Sequence, residues 1–353
     1  MSHLSNNDRK ILRFVLAITT GFTIAQLIDW QLSYIMPILL SMLMTGPSID
    51  LKAGFSFFAV IVCGCLFGLF LSMTVVNYPF VCLLVFALAL MHIYIAENKG
   101  LSPFVVIMLI MGVTVIPLIG LPSIQLSVLL VEALITSGFV AVLVALFFFS
   151  LIPTEKESPP EPKAQDTGAI ALSAEKAGMI STLVIMPLIT IFYCYSITNG
   201  IIILVFAAIL AQTVDLATTA KGGAALVLAN GIGGVFAVII YNMLVIAPVA
   251  PMMILVIALF ATVFAGKIFS DEPTAPLYSS AFTVVLLLVG SSVSSVSGDA
   301  GEAFVARLVQ IFLAAAYVVV AFSLLKKLSG YLNSGTDKHE IVSETAIITD
   351  VGI

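Results

Sequence analysis

Long apolar runs fill almost the whole chain, and its few charges sit between them. A helix must carry about 20 apolar residues to cross a hydrocarbon core. Runs of that kind have no polar face to turn toward water, so they restrict the chain to bundles of helices in lipid. Composition agrees: 61% of the 353 residues are hydrophobic and 9% are charged, against roughly a quarter charged in soluble domains. The expected fold class is an all-α polytopic membrane protein.

Twelve spans are predicted. The first six cover 11–28, 31–45, 53–73, 78–95, 103–119 and 125–152, and the second six cover 177–193, 198–212, 222–244, 248–265, 276–291 and 303–325. The runs 31–45 and 198–212 are short. Residues 1–152 and 177–328 form two membrane halves. Between them, 153–176 contains Glu155-Lys156-Glu157-Ser158-Pro159-Pro160-Glu161-Pro162-Lys163, which reads as a solvated cytoplasmic linker. Residues 329–353 read as a polar, loosely ordered cytoplasmic tail. Arg9, Lys10 and Arg13 precede the first apolar run, but no small-residue cleavage site follows it, so it is expected to remain as the first span.

Basic residues test the count, because Lys and Arg gather in short cytoplasmic loops. With a cytoplasmic N-terminus, 13 of the 14 Lys and Arg fall inside, Arg307 being the exception. The expectation is a membrane protein with both termini cytoplasmic.

Two like-oriented halves suggest a duplication. Ser48-Ile49-Asp50-Leu51 matches Thr213-Val214-Asp215-Leu216, and Gly68-Leu69-Phe70 answers Gly234-Val235-Phe236 within a residue of the same offset. An even number of spans per half gives a pseudo-two-fold axis along the membrane normal.

Other function classes find little support. The net charge of −5 leaves no basic face for nucleic acid. Four cysteines and three histidines show no disulfide or metal spacing. No nucleophile–base arrangement appears, so an enzyme is not expected, and neither is a cofactor. No Gly-rich lysine motif for nucleotide phosphates appears either.

The first half reads Arg13, an apolar helix, Trp30, Pro37, Gly46-Pro47-Ser48, and a third helix with Gly64 and Gly68. That pattern resembles the fusaric acid resistance and aromatic acid exporter family of bacterial inner-membrane proteins, which implies that membrane as the location. The resemblance implies proton-driven export of aromatic carboxylic acids or similar small organic anions. It also implies a periplasmic membrane fusion protein as partner. Longer family members carry a sizeable cytoplasmic domain where this chain has a short linker. The six-helix unit also resembles plant malate-transporting anion channels, which implies a passive channel as an alternative. Major-facilitator transporters share the six-plus-six plan; Gly46 and Asp50 fit their second-to-third loop, but its arginines are missing. Assembly as a homo-oligomer is left open.

Ionisable residues inside spans are costly and mark sites or pairs. Glu132 and Arg307 precede Pro153 and Lys326 by about 20 residues, which puts both roughly 30 Å above the cytoplasmic end at ~1.5 Å per residue. They are candidate substrate-binding residues, Arg307 because its planar fork suits a carboxylate. Snorkelling to headgroups is the alternative. Asp50 and Asp215 begin the third and ninth spans, where capping competes with proton coupling or gating. The unperturbed pKa of a histidine such as His92 suits a proton relay, although such a lone histidine is more often an interfacial or packed residue. Pro37, Pro117 and Pro187 interrupt apolar helices, either as packing kinks or as breaks along a substrate path. The serines of 291–298 read as a loop or the wall of an outer vestibule. The glycines at 222–223 and 231–234 read as close helix packing.

Overall fold

The computed structural model describes residues 5–46, 48–153, 174–197, 203, 204, 207, 220–272 and 274–293. Between 305 and 324 it describes all but 307, 311, 315 and 322. Every regular element among them is helical. In chain order these are α1 (Asn6–Ile28), α2 (Ile35–Thr45), α3 (Leu51–Thr74), α4 (Pro79–Asn98), α5 (103–119), α6 (Ile124–Leu151), α7 (Ala174–Cys194), α8 (Ala220–Ile246), α9 (Ala250–Ile268), α10 (Ala275–Val293) and α11 (Leu308–Ala321). Eight of these helices are long and apolar enough to cross a membrane; α2, α5 and α11 are shorter apolar helices. The short run 198–212 lies almost wholly outside the described residues.

The outer faces identify the solvent. Phe55, Phe70 and Met73 on α3, Phe80 and Leu84 on α4, Phe139, Leu143 and Phe147 on α6, and Leu255 and Leu259 on α9 all point away from the protein. A surface carrying this much continuous apolar area would aggregate in water, and in lipid it costs nothing. The chain is a multi-pass helical membrane protein.

Helix starts follow local chemistry. Ser5 Oγ accepts the Asp8 backbone N–H at 3.1 Å while Asp8 Oδ2 accepts the Ser5 N–H at 3.2 Å, a reciprocal cap that opens α1 five residues before the expected span. Pro37 does not interrupt a helix. It lies in the first turn of α2, where its missing N–H has no intrahelical acceptor to lose.

Between α1 and α2 the backbone leaves the helix, with Asp29 at φ 47° and Leu32 at φ 57°. Part of this turn is held by protein: Ser33 is fully buried and the Trp30 indole N–H donates to Ser137 Oγ on α6 at 3.1 Å, while Asp29 and Gln31 are exposed. Non-helical backbone among spans is tolerated where it packs on protein or lines a wet cavity.

Pro117 does interrupt α5. The helix runs as α over Pro103–Ile110, widens to a π-turn over Met111–Val115, and resumes as α over Ile116–Ile119. The extra residue in the π-turn relieves the clash that a proline ring makes with the preceding turn. Ser127 Oγ on α6 then donates to the Ile116 carbonyl at 2.7 Å and accepts from Ser72 Oγ on α3 at 2.9 Å, which ties three helices together. Pro187 lies within α7, and beside it the Tyr317 hydroxyl of α11 donates to the Val184 carbonyl at 2.7 Å.

Glycines set the closest approaches. A Cβ at Gly68 of α3 would lie 2.5 Å from the Gly112 carbonyl and 3.0 Å from Ile116 Cβ on α5. At Gly233 of α8 it would collide with the Ala281 carbonyl and lie 3.0 Å from Val284 Cβ on α10. Helix pairs at this distance gain backbone-to-backbone dispersion that a side chain would forbid.

Contacts between distant segments also come in pairs. Helix α1 packs along α9, and α7 packs along α4. Gly138 of α6 lies on Ile61 of α3, and Gly234 of α8 meets Leu308 of α11. At the α4–α7 seam the Tyr193 hydroxyl donates to the Val76 carbonyl at 2.6 Å.

Gly68→Val is expected to force α3 from α5 and to lower the thermal midpoint of the detergent-solubilised protein, an overpacking cost of about 1–3 kcal/mol. Phe70→Val, two residues away on the outer face, is expected to leave the midpoint unchanged. Ser127→Ala strands the Ser72 hydroxyl and the Ile116 carbonyl and is expected to cost about 1–3 kcal/mol in the same melt.

Candidate functional site

Four helices, α1, α8, α9 and α10, meet tightly at one end and part at the other. Phenylalanines fill the tight end. Phe14 of α1 lies 5.6 Å from Phe269 beyond α9 and 5.5 Å from Phe282 of α10, centroid to centroid. Phe264 of α9 lies 5.1 Å from Phe282 and 5.2 Å from Phe236 of α8. Such tilted and edge-on pairs add about 0.5–1.5 kcal/mol each beyond burial. Phe14, Phe264 and Phe282 are all but fully buried.

At the opposite end the same helices enclose an open cavity of about 440 Å³. Its wall comes from the last turn of α1 (Gln26, Leu27, Asp29), the end of α8 (Tyr241, Leu244, Val245), the α8–α9 connection and start of α9 (Pro248, Val249, Ala250, Met253), and the end of α10 (Ser292, Val293). The sequence explains the parting: Asp29 turns α1 off in the left-handed region, and Pro251 sits at the start of α9 where the chain enters from an extended Val249. The wall is mainly apolar, with one amide, one phenol, one hydroxyl and one carboxylate. Ser292 Oγ bonds back to the Leu288 carbonyl at 2.7 Å. Of the serine run, Ser291 and Ser292 belong to α10, Ser292 facing this cavity; 294–298 lie outside the described residues.

A buried cation stands at the tight end. Arg13 is 3% exposed, and its guanidinium carbon lies 4.1 Å from the centroid of the Phe149 ring on α6. The planar group suits that stacking. The sequence carried the signal, since Arg13 lies one turn beyond Arg9 inside an apolar run, but a snorkelling arginine has the same pattern.

The candidate residues from the sequence do not converge on the cavity. Glu132 is exposed on α6, on the same outward stripe as Val128, Phe139 and Leu143. Arg307 and Asp215 lie outside the described residues. Asp50 caps α3, its Oδ1 accepting the Ala53 N–H at 2.8 Å. His92 is exposed on α4, its Nδ1 donating to the Leu88 carbonyl at 2.7 Å. Gln26, Asp29 and Tyr241 escaped notice because each is an isolated polar residue at a helix end, and only the fold brings them to one wall.

Residues 10–148 match the model of a protein family described as "Protein of unknown function (DUF2955)". The match runs from the first turns of α1 to the last turn of α6. No curated protein and no solved structure matches the chain.

Asp50→Ala is expected to cost about 1 kcal/mol in a thermal melt, and Asp50→Asn, which caps equally well, nearly nothing. Loss of function in Asp50→Asn at unchanged stability would assign the carboxylate a role beyond the cap. Arg13→Ala removes the stack on Phe149 and is expected to destabilise by more than Glu132→Ala, whose side chain faces outward.

Proposed function

We propose that this protein is a secondary exporter of small organic anions, aromatic carboxylic acids among them, in the bacterial inner membrane. The observation that carries the reading is the asymmetry of α1, α8, α9 and α10: packed with phenylalanines toward one end, parted around an open cavity at the other. Alternating access needs a path that is closed on one side while open on the other. A passive channel would instead need a continuous opening.

The architecture proposed is twelve spans in two like-oriented halves. Paired contacts support it. Helix α1 against α9 and α7 against α4 are the same contact if α7 repeats α1 and α9 repeats α4. Gly68 on α5 and Gly233 on α10 fill equivalent roles in that scheme. The family-model match ends within a few residues of the first half's end, as a unit of that length would require. The tight end is assigned to the cytoplasm because Arg9, Lys10, Lys52 and Lys267 flank the helices there. The substrate class rests on the resemblance carried by Arg13, Trp30, Pro37, Gly46-Pro47-Ser48, Gly64 and Gly68. A proton gradient is the proposed energy source, and a periplasmic membrane fusion protein the proposed partner.

Purified protein in proteoliposomes is expected to accumulate a gradient of an aromatic acid against a pH difference, and an uncoupler to collapse it. Flux that persists unchanged as a passive current with the uncoupler present would make the protein a channel, and no flux for a panel of aromatic and aliphatic acids would remove the transport reading. A short thiol cross-linker joining Phe14→Cys to Phe269→Cys is expected to stop flux, and cleavage of the link to restore it.

A further inference from the structure

The cavity's chemistry is unusual for a place that anions visit. Among the described residues its wall holds no Lys or Arg, and the one charged side chain there is the Asp29 carboxylate. Leu244, Val249 and Met253 offer an apolar surface large enough for an aromatic ring. A carboxylate placed near Asp29 is repelled even in a water-like dielectric, by a factor of about 3 or more in affinity at ~6 Å. An uncharged ring of the same size meets no such penalty.

We propose that this cavity is the release site of the export path, which takes the aromatic body of the substrate on its apolar wall and weakens hold of the carboxylate through Asp29. The assignment rests on the exporter reading. A low-affinity mouth lowers the occupancy of the site by exported acid on the open side, while direction comes from the proton-coupled alternation proposed above. Asp29 suits the position twice. It ends α1 at φ 47°, a conformation that Asp and Asn tolerate better than other non-glycine residues, and it projects its charge at the opening.

The test titrates the full-length protein in nanodiscs with benzoate and with its uncharged isostere benzamide, binding being read by equilibrium dialysis of the radiolabelled ligands. Benzamide is expected to bind several-fold more tightly than benzoate in the wild type. The gap is expected to narrow in Asp29→Asn, which keeps the left-handed turn, and in high salt, which screens an exposed charge. Ala250→Phe, an exposed residue of the wall, is expected to block both ligands.

Equal or tighter binding of benzoate in the wild type overturns the proposal, as does an Asp29→Asn variant with the gap intact. Binding that survives Ala250→Phe places the ligand elsewhere and overturns it too. Failure of the exporter reading appears separately, as absent flux in proteoliposomes while the benzamide and benzoate titrations behave as described.

Discussion

A backbone in hydrocarbon must satisfy its own hydrogen bonds, and at three irregular points of the described chain a side chain from another helix braces the departure. Ser127, itself held by Ser72, donates to the Ile116 carbonyl between the widened turn and Pro117. Tyr317 reaches the backbone beside Pro187. The turn after Asp29 is anchored by Trp30 on Ser137. These repairs connect helices that are far apart in sequence, so the points where the secondary structure is weakest are also the points where the tertiary structure is fastened. Apolar packing alone would not fix the register of helices whose surfaces and surroundings are both hydrocarbon.

The second organising element is close contact through glycine. Where Gly68 faces Gly112 and Gly233 faces Ala281, backbones approach without intervening side chains. The first of these sits beside the π-turn of α5, which brings an irregular helix against the most intimate contact on α3. The aromatic cluster at the tight end works in the opposite way, filling space with large rings where helices from α1 to α10 converge.

Much of the fold was legible in the sequence because hydropathy is a local signal. The positions of α1, α3, α4, α6, α7, α8, α9 and α10 follow from apolar runs, and the packing role of Gly231–Gly234 from residue size. Asp50 behaves as its position before an apolar run suggested, as a cap. Less could be read where the outcome depends on a partner far along the chain. Pro37 reads as a break until it is known that α2 begins only at Ile35. The π-turn needs Ser127, and the buried state of Arg13 needs the Phe149 ring. The cavity is the extreme case: Gln26, Tyr241 and Ser292 share no motif, and only the parting of four helices makes them neighbours.

The seam between α4 and α7 bears on how the polypeptide is held together. Tyr193 fastens to the Val76 carbonyl, Gly178 lies against Ile95, and α1 runs the length of α9 on the other side. Covalent continuity between Leu151 and Ala174 is therefore not what joins the two parts of the molecule. Severed within that stretch and produced as two polypeptides in one membrane, the fragments should find each other and behave as a heterodimer.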